Sequence, residues 1–451
     1  MPNPSPFPSE PRHVVAIVGG AVAGSEAASV CAARGVTAIV LDQGPRPFGK
    51  IEDGLPRWHD KLRQKEYQQV TQNLSQPNVV FLPNTQLGRD VGLRELCDDW
   101  GVSAVLLASG AWRDRPLFDG AEQYLGRGLV QQNAFVYWYN HYPDQGYAGE
   151  RFEVPDDAIV VGGGLASIDV VKIVNLELYK RALAARGLQV TTLDLEHDGI
   201  PATLARHGIT QAQLGVRGVT LYYRREKIAM PIAQAPDNAT PQQLEKVGQV
   251  RAKLMDKVIE KYLVRFEPNQ ALDGPVIEDG RLVGLRFRRT ETREGKLVML
   301  PDTQAVRSPL IISSIGSIPL PLAELPMKGE LIDFEDWDSG KVRGFPNVFG
   351  LGNALTGKGN IKDSRKNAAE VSARVVASYL LGSGDGAYDQ AHRTAEARAE
   401  RVVEAALARP QLGAAQLEHI SQRVAQHWRR IGYEGDVARW IAANTHEAIE
   451  A

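Results

Sequence analysis

The sequence predicts an α/β protein with two open, parallel-sheet units and a helical C-terminal extension, and three observations carry that prediction. Residues 14–30, VVAIVGGAVAGSEAASV, are a continuous apolar run, a glycine turn and an alanine-rich segment. The same succession restarts at residues 158–174, AIVVGGGLASIDVVKIV. Beyond residue 385 no strand-like run follows, while Leu417, Ile420, Val424, Trp428 and Ile431 recur at three- to four-residue steps along one helix face.

Each element can be justified in turn. An unbroken apolar run such as Val14–Val18 suits a parallel strand buried on both faces, where alternation is lost. The helix expected from Gly24 to Ala33 stops at Arg34-Gly35, a helix-ending pair. TAIVLDQ (37–43) is a second buried strand ending in an acid, Asp42, which completes a βαβ unit of the usual size. NVVFL (78–82) and SAVLLASGA (103–111) read as further strands. In the second unit VTLYYRR (219–225), YLVRFEP (262–268), RLVGLRFRR (281–289) and LIISSIG (310–316) are strand-like, and NVFGLGNA (347–354) adds one more. Helices are expected over Ile361–Leu381 and Ala391–Ala408.

Composition narrows the classes of function. A chain of 451 residues exceeds one hydrophobic core, so two or three domains are expected. A net charge of -2 gives no reason to expect nucleic acid or an anionic membrane as partner. No apolar run approaches the roughly 20 residues of a membrane helix. Residues 1–12, opening MPNPSPFPSEP, lack an apolar signal core and read as a disordered lead, so a cytoplasmic location is expected. The two cysteines, Cys31 and Cys97, form no C-x-x-C pair and no metal-ligand spacing. Any redox chemistry must therefore use a bound cofactor, and no metal site is expected. His197, between Glu196 and Asp198, reads as part of a solvated charge run.

The glycine turns carry the chemistry. In the spacing G-x-G-x-x-G the first turn offers Gly19, Ala21 and Gly24, with an additional Gly20; the second offers Gly162, Gly164 and Ser167. Free amides and the dipole at a helix N-terminus stabilise a pyrophosphate. Two such turns in one chain predict two Rossmann-like dinucleotide-binding domains, with FAD at the first and a nicotinamide dinucleotide at the second. Asp42, 18 residues past Gly24, is placed to accept hydrogen bonds from an adenosine ribose, or else serves as a turn residue before QGPRP. The equivalent strand of the second unit ends in Arg224 and Arg225. These either bind a 2′-phosphate, which favours NADPH over NADH, or form a solvated charge pair.

Several further stretches resemble one family, the adrenodoxin-reductase type of ferredoxin–NADP reductases, with kinship to the glutamate synthase small subunit. They are PRPFGK (45–50) ahead of GLPRWH (54–59), TQLGRDVGLREL (85–96), LLASGA (106–111), NAFVYWYNHYPD (133–144), LYYRREKIAMP (221–231) and VFGLGNALTGKGNIKDSRKNA (348–368). The resemblance implies an FAD-binding domain of residues 13–115 and 316–382, an NADP-binding domain of 116–315 inserted into it, and a helical extension of 383–451. It implies FAD contacts at Gly19, Gly20, Ala21, Gly24, Asp42, Gly49, Lys50, Ala108, Ser109, Gly110, Gly352, Asn353, Gly359 and Ile361. NADPH contacts would be Gly162, Gly164, Leu165, Ala166, Ser167, Arg224 and Arg225. The implied reaction is hydride transfer from NADPH to the flavin, then single-electron transfer to a ferredoxin-like or other one-electron acceptor. An electron-delivering subunit of a larger complex and a non-catalytic nucleotide-binding module are the alternatives. Four residues depart from the family pattern: Ala21, Lys50, Glu52 and Asn353. Lys50 either points inward as a cation beside the flavin or lies in solvent, and His59 either relays a proton or caps a loop.

Overall fold

The computed structural model describes residues 10, 12–233, 235, 239–322, 324–337, 339–356 and 389–446. Its first sheet has seven strands. Strand β1 (Val14–Val18) lies at the centre, with β2 (Thr37–Leu41) and then β3 (Val79–Leu82) on one side and β4 (Ala104–Leu107) on the other, all parallel. Val348–Gly350 pairs parallel with β4, so a strand from late in the chain completes the early sheet. Every residue of β1 and β2 is buried, which is why these strands read as solid apolar runs. Helix α1 (Val22–Ala33) is flanked by the Asp60–Leu74 and Asp389–Leu407 helices.

The C-terminal extension packs into this same core. Leu417, Ile420, Val424 and Trp428 are buried together with β1 to β4. β3 is the edge of the sheet, and an uncovered edge invites pairing with other chains. The Ala414–Ile431 helix lies against it, and the Trp428 indole donates to the Phe81 carbonyl at 2.9 Å.

On the other side of the unit, His392 joins three helices. Its Nδ1 is 2.9 Å from Glu26 Oε2 and its Nε2 is 2.7 Å from Glu66 Oε2. Burial opposes the charge, but the two carboxylates prevail and raise the imidazole pKa to about 9. A raised folded-state pKa gives stability that is complete below the unfolded value near 6.5 and fades as pH rises through 9. His392→Ala is expected to cost about 1–2 kcal/mol at pH 6, after allowance for solvent screening, and much less at pH 9.5. Denaturant midpoints of both proteins at the two pH values measure this, and an equal loss at both would remove the charge from the explanation.

The second sheet has five parallel strands in the order Leu129–Gln131, Ile311–Ser314, Ile159–Gly162, Thr220–Tyr222 and Arg265–Glu267. The Leu165–Ala184 helix follows its glycine turn. Three differences from the sequence reading have physical causes. The strand expected over 262–268 begins as the end of the amphipathic Pro241–Tyr262 helix, and only Arg265–Glu267 is extended, after Leu263 in a left-handed turn at φ 54°. The run 281–289 is the middle of a three-stranded antiparallel sheet, Gln270–Glu278, Arg281–Arg293 and Lys296–Arg307. Its outer strand is exposed along most of its length, so burial imposes no pattern there. Phe287 stacks on Tyr222 at 4.0 Å and fixes this small sheet to the large one. The expected strand over 103–111 ends at Leu107. The helix expected over Ile361–Leu381 lies outside the described residues. Among those described, no helix is long and apolar enough to cross a membrane.

Candidate dinucleotide sites

The first turn needs glycine at two of its positions. Gly19 has φ 99°, and a Cβ there would stand 2.6 Å from the Ala108 carbonyl oxygen and 3.2 Å from the Ser109 Cα. A Cβ on Gly24 would stand 1.7 Å from the Gly19 carbonyl oxygen. Ala21 is different: it is extended, at φ -70° and ψ -157°, a conformation open to any residue. Its methyl group meets the Gly49 backbone instead, where an added Cβ would lie 3.2 Å away. Ala21 is also the N-cap of α1, with no side-chain cap and no acid in the first turn, so the helix amides stay free for an anion.

The additional Gly20 serves Asp42. Its N–H donates to Asp42 Oδ2 at 2.8 Å, while the Gly44 N–H donates to Oδ1 at 2.9 Å. Asp42 is 9% exposed, and burial pushes its pKa up to about 6 despite those two bonds. The Gly44 bond is an Asx turn, as one of the two readings expected. Each carboxylate oxygen keeps a further lone pair for an outside donor, so the turn role leaves the ribose role open.

Other distant segments converge on the same helix end. Gly110, at φ 72°, and Gly49, at φ 49°, both approach Trp112, at 3.6 and 3.7 Å from a built Cβ. Gly352, at φ 60°, lies so close to α1 that a Cβ would stand 2.9 Å from that of Ala23. Ala108, Ser109 and Gly110 are half-buried at the end of β4. A cradle of glycines that a single methyl would fill, beside uncapped amides and a buried acid, fits the FAD assigned to it. Asn353 opens a short helix, Asn353–Thr356, and its side chain, like Gly359 and Ile361, lies outside the described residues.

Lys50 points inward. Its Nζ donates to Asn133 Oδ1 at 3.0 Å and to Ser317 Oγ at 3.3 Å, and lies 5.4 Å from the Trp112 ring centroid. Asp114 closes the group, accepting from the Asn133 N–H at 3.1 Å. Burial pulls the Lys50 pKa down to about 8, against the pull of Asp114, and pushes Asp114 up to about 6. Asn133, Ser317, Asp114 and Trp112 escaped the sequence reading. The signal that could have found Asn133 is that it heads the NAFVYWYNHYPD stretch.

His59 is buried, with Nε2 3.7 Å from Asp169 Oδ1 on the Leu165–Ala184 helix. One turn on, Lys172 is fully buried; its Nζ is 2.9 Å from Glu196 Oε1 and 4.3 Å from the Trp58 ring centroid. The loop carrying Trp58 and His59 therefore rests on the helix that follows the second turn. Glu196 is drawn into this cluster, unlike the solvated run expected of it, while His197 stays exposed and pairs with Asp198 at 2.8 Å.

At the second turn, a Cβ on Gly162 would stand 2.4 Å from the Ser314 carbonyl oxygen. Ser167 is fully buried, and its hydroxyl donates to the Ser314 carbonyl at 3.1 Å. At the third glycine position its side chain serves as a helix-to-sheet contact. Gly164, by contrast, has nothing within 4 Å of a built Cβ and caps the helix with open backbone, followed by half-buried Leu165 and Ala166. The Tyr223 ring, missed by sequence reasoning, roofs Gly163, where a Cβ would stand 2.2 Å from it. Arg224 is exposed and Arg225 half-buried just past the Thr220–Tyr222 strand. Neither has an ion-pair partner among the described residues. Open helix amides beside two uncompensated guanidinium groups fit a dinucleotide with an added phosphate.

No protein-family model matches the chain. The mitochondrial NADPH:adrenodoxin oxidoreductase of Arabidopsis thaliana is 29% identical over 351 residues, spanning 70% of this chain and 70% of that protein. Its Drosophila melanogaster counterpart is 25% identical over 326 residues, spanning 68% of this chain and 66% of its own length. Among solved structures, Mycobacterium tuberculosis FprA in complex with NADPH matches with a TM-score of 0.58 at 20% identity, covering 92% of this chain and 100% of that one. This last likeness is one of fold, and it shares the two Rossmann-like units. The chain is thus similar in sequence to NADPH:adrenodoxin oxidoreductases over about 70% of its length, and it shares the fold of two Rossmann-like units with FprA.

Proposed function

We propose that this chain is an FAD-dependent NADPH oxidoreductase that passes electrons to a ferredoxin-like or other one-electron acceptor. One observation carries the reading: two glycine turns are paired with opposite strand-end chemistry, a buried Asp42 at the first and Arg224 with Arg225 at the second. A carboxylate suits a ribose diol and repels a 2′-phosphate, whereas guanidinium groups bind that phosphate. The curated relatives are named as NADPH:adrenodoxin oxidoreductases, and the solved neighbour was determined with NADPH, which supports the same pair of nucleotides.

FAD, when bound, accepts a hydride from NADPH and releases the electrons singly. The chain's own residues bind and orient. In this reading residues 13–115 and 316–382 hold FAD, and the inserted 116–315 hold NADPH. Gly19, Ala21 and Gly24 keep the α1 amides open to the pyrophosphate, with Gly20 holding Asp42 in position for the ribose. Gly49, Ala108, Ser109, Gly110, Gly352 and Asn353 line the flavin's side. Gly162 brings the second turn against its sheet, and Gly164, Leu165 and Ala166 present the second set of amides. His59 ties the two units through Asp169.

Lys50 holds a proton at Nζ in the shared network, and a cation there favours an anionic reduced cofactor. Lys50→Leu is expected to lower the flavin midpoint potential by about 30 mV or more, the two-electron equivalent of about 1.4 kcal/mol. The difference should shrink as pH rises past about 8, where Lys50 loses its proton. A potentiometric titration of both proteins tests this, and an unchanged midpoint removes Lys50 from the flavin's surroundings.

The purified protein is expected to be yellow with near-stoichiometric FAD, to bleach with NADPH but not NADH, and to reoxidise rapidly with ferredoxin. A folded but colourless protein would defeat the reading. A cytoplasmic site of action is supported by two unpaired cysteines, Cys31 and Cys97, although both curated relatives above are mitochondrial. Cell fractionation decides it.

A further inference from the structure

We propose that Arg251 is a third recognition residue for the 2′-phosphate of NADPH, acting beside Arg224 and Arg225. The inference rests on reading the second glycine turn as the NADPH site. Arg251 lies on the Pro241–Tyr262 helix, far from the strand end in sequence. Its Nε donates to the Ala233 carbonyl at 2.7 Å and its Nη1 to the Ile228 carbonyl at 3.2 Å. Both carbonyls belong to the segment that follows Arg225. Tyr223 holds that segment from the other side, donating its hydroxyl to the Ala229 carbonyl at 3.0 Å. Gly248, one turn earlier on the helix, packs 3.4 Å from the Ile228 Cβ, measured from a built Cβ.

The charges around Tyr223 are one-sided. Its phenol lies within electrostatic reach of Arg224, Arg225 and Arg251 together. None of the three meets a carboxylate among the described residues. Lys227, on the same segment, is already paired with Asp256. Arg251 is half-buried against neutral carbonyls, and that burial lowers its pKa. A desolvated cation with no counter-ion among the described residues is unfavourably placed, and a phosphate dianion would relieve it. A guanidinium has five N–H donors, and the two carbonyl bonds use one each on Nε and Nη1, so Nη2 has no acceptor among the described residues. The Tyr223 ring, over Gly163, sets this group beside the turn itself.

The test uses the FAD-loaded protein and titration calorimetry with two probes, 2′,5′-ADP and 5′-AMP. Arg251→Gln keeps an amide donor for the Ala233 carbonyl but removes the charge. It is expected to weaken 2′,5′-ADP by about tenfold or more, while 5′-AMP changes by less than about twofold. Equal weakening of both probes, or unchanged selectivity, would overturn the proposal and leave Arg251 as loop support. A second measurement needs no variant: 2′,5′-ADP, but not 5′-AMP, should protect Arg251 of the native protein from phenylglyoxal, mapped by peptide mass. Absence of protection overturns the proposal as well. A native protein with no preference for 2′,5′-ADP would instead remove the NADPH reading itself, which separates the two failures.

Discussion

Gly24→Ala is expected to yield protein without bound FAD. The added methyl group would stand 1.7 Å from the Gly19 carbonyl oxygen, a backbone atom with no rotamer to adjust. Relief requires the Gly19–Gly24 turn to open, which displaces the α1 amides and separates Gly19 from Ala108. Ala21→Gly is the control. Ala21 is extended and its methyl faces Gly49, so removing it leaves the turn intact and FAD bound at equal or higher affinity. The flavin-to-protein absorbance ratio of the two purified variants, with circular dichroism to check folding, measures both. Stoichiometric flavin in Gly24→Ala would remove the pyrophosphate from this turn.

The second large effect is expected from Arg224→Ala combined with Arg225→Ala. Charge-assisted hydrogen bonds contribute about 1.5–3 kcal/mol each, so losing two costs at least about 3 kcal/mol. That corresponds to roughly a 100-fold weaker NADPH, since each 1.4 kcal/mol is tenfold. NADH lacks the phosphate and should change little, so the preference collapses and does not shift uniformly. Neither arginine has a counter-ion among the described residues, and both sit past the end of a strand whose pairing uses backbone alone. The fold should therefore survive. Flavin reduction rates across a range of each nucleotide measure the change, and an unaltered NADPH-to-NADH ratio would mark the arginines as a solvated pair.

The parts of this architecture that were legible in the sequence are those where burial leaves a pattern. β1 and β2 are buried on both faces, so their apolar runs announce parallel strands. Gly24 and Asp42 carry their meaning in spacing alone. Ser167 stands at the third motif position, but spacing says nothing of its hydroxyl, which is turned toward Ser314. The Lys50 network was out of reach because its partners lie 83 and 267 residues away, and neutral Asn133 and Ser317 show no charge pattern that would point to a lysine. The outer strand of the small antiparallel sheet is exposed at most positions and mixes polar with apolar residues, so no alternation there distinguishes strand from loop.

The contact of the Ala414–Ile431 helix with β3 has a consequence for the order of assembly. The first core draws on residues from Val14 to Leu107, from Leu325 to Leu355 and from Ala399 to Ile441. During synthesis its early strands emerge long before the pieces that close them, and the exposed rim of β3 waits for Trp428. The intervening unit, by contrast, has its own core between Val130 and Ile312 and can close as it emerges. The unit encoded first is therefore the one completed last, and the edge of its sheet stays open to strand pairing until the C-terminal helix arrives.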